Sequence, residues 1–89
     1  MGRETILFKS EEKKTSSDIA NVLRHIADKI ESGTMILKQG PDEMTIAFPK
    51  NMVLELKVEE EQGKRLKKSL EIELEWIVGD DQNAETMIL

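Results

Sequence analysis

The chain has no cysteine, no tyrosine, one histidine, one tryptophan and two prolines among its 89 residues. Without cysteine there can be no disulfide, no thiolate nucleophile and no sulfur-ligated metal, and a reducing compartment fits, so the cytoplasm is the expected location. The single histidine, His25, falls at the margin of a predicted helix, with Asn21 and Lys29 as its same-face neighbours and no carboxylate there to hold its tautomer. It reads as a partly exposed helix histidine rather than a catalytic base, and Ser16 and Ser17 read as cap residues rather than nucleophiles. No segment approaches the roughly 20 consecutive apolar residues that span a bilayer. Residues 1–8 are too short and too charged for a signal peptide. Gln39-Gly40-Pro41-Asp42 lacks both the spacing and the lysine of a phosphate-binding loop. The expectation is that no residue is catalytic, none binds a cofactor and no metal site is built in.

What the chain has in quantity is charge, with a formal balance of −5. An acidic total argues against general affinity for nucleic acid, whose phosphates are bound chiefly by Lys and Arg. The one basic cluster, Lys64, Arg65, Lys67 and Lys68, follows Glu59, Glu60 and Glu61 directly, which cancels most of its long-range field.

Hydrophobic periodicity sets out the elements. Residues 4–13 begin with Ile6, Leu7 and Phe8 and then turn charged, which suggests a first strand fraying into a loop. Thr15, Ser16, Ser17 and Asp18 offer N-cap oxygens. Beyond them Ile19, Val22, Leu23, Ile26, Ala27 and Ile30 recur at helical spacing, and Gly33 closes the segment. This is one amphipathic helix. Alternation then takes over: a strand over residues 34–39, a turn at Gly40-Pro41-Asp42, and a strand with Met44, Ile46 and Phe48 facing inward. A three-residue hairpin loop at Pro49-Lys50-Asn51, with Asn51 left-handed, would keep Phe48 and Met52 on one face. The next strand places Met52, Leu54, Leu56 and Val58 on one side and Glu55, Lys57 and Glu59 on the other.

Its partner carries Leu66, Leu70, Ile72, Leu74, Trp76 and Val78. A three-residue loop at Glu61-Gln62-Gly63, with Gly63 left-handed, would pair Val58 with Leu66 and Leu54 with Leu70, setting Glu60 beside Lys64 and Glu59 beside Arg65. Lys68 breaks the apolar parity of this strand, by snorkelling or through a local bulge. Parity assigns Trp76 to the core beneath the helix, and Met35, Met44 and Met52 to adaptable packing of a shallow core. The fold class expected is α+β: an antiparallel sheet of about five strands, β-α-β-β-β-β, with the amphipathic helix packed on one face. It would form a single domain over residues 1–78, with a flexible tail over 79–89 whose Met87, Ile88 and Leu89 could dock elsewhere.

The order of strand, helix and four alternating strands, ending in Leu70-Glu71-Ile72-Glu73-Leu74-Glu75-Trp76, resembles the amphi-Trp domain family, small prokaryotic proteins named for an amphipathic strand finishing in tryptophan. The resemblance covers about residues 4–78. It brings no catalytic motif to carry over, so it implies a fold rather than an activity.

One helix can cover only one face of a sheet. The other is mainly charged and carries Leu7, Ile36, Val53 and Ile77 among the charges. The leading expectation is a non-enzymatic protein-interaction or adaptor module acting through an open sheet face or an edge strand, with self-association, as a dimer, or another protein as the partner. Val53, Glu55, Glu71, Glu73, Glu75 and Ile77 form its candidate surface. An alternative is a metal-dependent accessory protein or small enzyme using the Glu71, Glu73 and Glu75 stripe and His25, although strand carboxylates stand about 6.6 Å apart, whereas calcium sites gather oxygens from flexible loops. Nucleic-acid binding through Lys64 to Lys68 ranks below both.

Overall fold

The computed structural model describes residues 2–79. Its elements are α1 (Ser16–Ser32), β1 (Thr34–Gln39), β2 (Asp42–Ala47), β3 (Val53–Gln62) and β4 (Leu66–Glu75). The strands form two two-stranded antiparallel sheets, β1-β2 and β3-β4, and the chain divides into two units between Phe48 and Pro49. The class is therefore α+β as expected. The single sheet of about five strands is corrected to four strands in two hairpins. The expected first strand is absent, since residues 2–15 adopt no regular structure. Strand-favouring residues are confined to Thr5, Ile6 and Phe8, and the run from Lys9 to Lys14 offers little to hold a strand against a sheet. The expected tail lies outside the described residues from Asp80 onward, Met87, Ile88 and Leu89 included.

In the first unit the helix begins where its cap oxygens are. Thr15, extended at φ −72° and ψ 160°, accepts a hydrogen bond from the Asp18 amide at 3.1 Å, and Asp18 adds negative charge to the first turn. It ends at Gly33, whose φ of 92° is the left-handed conformation that glycine adopts without steric cost. Gly33 also joins the helix to the hairpin. Its amide donates to the carbonyls of Lys29 and Ile30 at 2.9 and 3.1 Å, while its own carbonyl accepts from the Phe48 amide at 2.8 Å.

The β1-β2 ladder runs from Thr34↔Ala47 to Gln39↔Asp42 across a two-residue turn. Gly40 takes φ 58° at its first central position and Pro41 supplies the negative φ of the second, the pattern of a type II′ turn. Met35 and Leu37 lie opposite Ile46 and Met44, and all four are half-buried, as are Ile26 and Ile30 on the helix; Ile36 is on the other face and exposed. α1 packs along β1. Residues 6–9 lie beside the turn end of this hairpin, where Ile6 to Lys9 and Gln39, Asp42, Glu43 and Met44 line an open groove of about 390 Å³.

The second unit is one long hairpin. Its ladder runs from Val53↔Glu75 to Gln62↔Leu66, with Gly63, Lys64 and Arg65 as the loop and the Gly63 amide donating to the Arg65 carbonyl at 3.3 Å. Here the expected register is corrected by four residues: Val58 faces Leu70 and Leu54 faces Leu74. Glu60 faces Lys68, not Lys64, and Glu59 faces Ser69, not Arg65. Gly63 is not left-handed, nor is Asn51, because among the described residues only Gly33, Gly40 and Gly79 have positive φ. β2 and β3 fall in separate two-stranded sheets, so the expected Pro49-Lys50-Asn51 hairpin is not among the ladders described. Lys68 needs no bulge, since it sits in regular register with its Nζ 3.3 Å from Glu60. Trp76 follows the last paired residue and is half-buried, like Met52 and Leu74. Among the described residues none is fully buried.

Candidate functional site: the two faces of the long hairpin

Ten residues on each of β3 and β4, in continuous register, sort the hairpin's side chains onto two faces of opposite character. The odd-numbered face is ionic. Lys57 lies at its centre, with Nζ 3.1 Å from Glu71 across the ladder and 3.4 Å from Glu59 along its own strand. Hydrogen bonding to Glu71 and then to Glu59 raises the Lys57 pKa above its ordinary value. From Lys57 toward the Val53–Glu75 end of the ladder there is no further cationic partner on this face. Glu55 stands opposite Glu73, and Glu75 opposite Val53. The charge of Glu55 first, and that of Glu75 second, hold the Glu73 carboxyl above its usual range.

Of the residues expected to form an interaction surface, Val53, Glu55, Glu71, Glu73 and Glu75 thus share one face. Ile77 lies past the end of the ladder and is exposed. The glutamate stripe does not converge: no group of three or more His, Asp or Glu side chains is placed to hold a metal ion among the described residues. His25 is exposed on the helix, where its neighbour Asn21 accepts a hydrogen bond from Arg24 at 2.9 Å. The basic cluster is divided, with Lys64 and Arg65 in the loop, Lys67 opposite Glu61 and Lys68 paired with Glu60. No helix among the described residues is long and apolar enough to cross a membrane.

The even-numbered face is aliphatic and open. Leu54, Leu56 and Val58 of β3 lie beside Leu74, Ile72 and Leu70 of β4; toward the loop the Glu60–Lys68 pair interrupts this face, and Leu66 lies beyond it. Leu56 is 65% exposed, Val58 71% and Leu70 65%. Sequence reasoning identified these residues and assigned them to the inward face of a larger sheet; within their own unit two ten-residue strands pair with each other and leave this face uncovered.

A profile of the Amphi-Trp domain matches residues 1–88. The chain belongs to the amphi-Trp domain family. The alternating strand before Trp76 is β4 of the long hairpin, so the family's signature is the strand that carries both the aliphatic row and the glutamate stripe of this amphi-Trp protein. No curated protein and no solved structure matches the chain.

Proposed function

We propose that this amphi-Trp protein is a non-enzymatic protein-interaction module of the cytoplasm that works through its β3-β4 hairpin. The observation that carries this reading is the aliphatic patch of Leu54, Leu56, Val58, Leu70 and Ile72, each more than half exposed, on one face of that hairpin. A monomeric soluble protein rarely leaves so long an apolar surface in water, and such surfaces mark sites of protein contact. An isolated two-stranded hairpin is also marginal in water, so a partner on this face would stabilise the element that binds it. The ionic face opposite would keep the free protein dispersed and deter indiscriminate pairing.

A photo-crosslinking side chain installed at Leu56 in the living cell tests the reading, with one at Arg24 on the polar side of the helix as control. The expected result is a protein adduct at Leu56 and none at Arg24. Absence of any adduct from Leu56, or equal labelling from both positions, would remove the hairpin as a binding surface.

A further inference from the structure

We infer that the partner on the aliphatic face of the β3-β4 hairpin is a second copy of the same chain, packed face to face about a twofold axis parallel to the strands. The inference rests on the proposed role of the hairpin as an interaction surface and names its occupant. Three features support a copy of this chain on this face.

The first is area. Leu54, Leu56, Val58, Leu66, Leu70 and Ile72 are each more than half exposed. At about 100 Å² for each aliphatic side chain, covering them on both copies removes about 1,200 Å² from water, the lower edge of a specific interface. The second is charge on the same face. Glu60 and Lys68 lie opposite each other at its loop end, 3.3 Å apart. A twofold axis along the strands lays β3 of one copy over β4 of the other, so that Val58 meets Leu70, Leu56 meets Ile72, and Glu60 of each copy meets Lys68 of its partner. Aligned sheets pack in this way at about 10 Å separation. An axis across the strands would instead carry the charged end of one copy onto the aliphatic stretch of the other, leaving charges against apolar surface. The third feature excludes the alternative face. Glu55, Glu73 and Glu75 already repel one another enough to raise the Glu73 pKa, and stacking two such faces would double the repulsion.

The test is sedimentation velocity at low salt on the whole chain and two variants, Lys68→Glu and Glu60→Lys, each alone and as an equimolar mixture. The wild-type chain is expected to be dimeric. Each variant alone brings four like charges together across the interface and weakens the dimer by at least about tenfold. The mixture restores it, because an all-acidic end then meets an all-basic one. Recovery on mixing cannot arise from a variant that has simply lost its fold. A wild-type chain that stays monomeric at every concentration, variants as dimeric as wild type, or a mixture without recovery would each overturn the inference. A monomer that nevertheless gives a Leu56 adduct with a different protein would overturn self-pairing and leave the interaction reading standing.

Discussion

Glu73 meets like charge from two directions, from Glu55 across the ladder and from Glu75 along its own strand, so its ionisation opposes the register that places it there. Its raised pKa means that the folded hairpin holds the proton more tightly than the unfolded chain. The resulting destabilisation is present above that raised value and is relieved as pH falls through it. Glu73→Gln is therefore expected to raise the melting temperature at neutral pH, with the gain closing as pH falls through the carboxylate range; thermal unfolding of both forms across pH checks this. Lys57 works in the opposite sense. Its contribution is fully present at neutral pH and is lost only as pH climbs through its raised value, above the ordinary lysine range. Gly33 is a different kind of residue-scale constraint. A Cβ there would touch nothing within 4 Å, so the cost of Gly33→Ala comes from φ 92° alone. It is expected to be about 1 kcal/mol, measurable by urea denaturation.

At the scale of elements, what was legible followed from chemistry within a few residues. α1 was readable because its cap oxygens precede it and a glycine follows it, and β1 and β2 because Gly40-Pro41 allows one short turn. The long hairpin was readable in parity but not in register. A period of two cannot distinguish registers that differ by an even number of residues, so a shift of four left every side chain on its correct face. Charge held the missing information. The expected register opposes Lys57 to Lys67, whereas the observed one opposes Lys57 to Glu71, Glu60 to Lys68 and Glu61 to Lys67. Residues 4–13 misled for another reason, since strand propensity has force only where a ladder is there to join. A cysteine pair tests the corrected register. Val58→Cys with Leu70→Cys should oxidise readily, because directly opposed residues have Cα atoms about 4.5 to 5.5 Å apart. Val58→Cys with Leu66→Cys should not, and non-reducing gel mobility with mass analysis distinguishes them.

At the scale of the whole molecule, the self-pairing inferred for the β3-β4 hairpin carries a thermodynamic consequence. Association of folded copies draws the folding equilibrium toward the native state by mass action. Raising the protein concentration is therefore expected to raise the melting temperature, and a melting temperature indifferent to dilution would count against self-pairing. Both sheets are hairpins of sequence neighbours, closed by two residues at Gly40-Pro41 and by three at Gly63-Lys64-Arg65. The consequence is kinetic. Because each described strand pairs with its sequence neighbour, little loop entropy stands between the unfolded chain and these ladders, so each hairpin forms quickly on its own. Any slow phase in refolding whose rate grows with protein concentration would then mark the meeting of two chains.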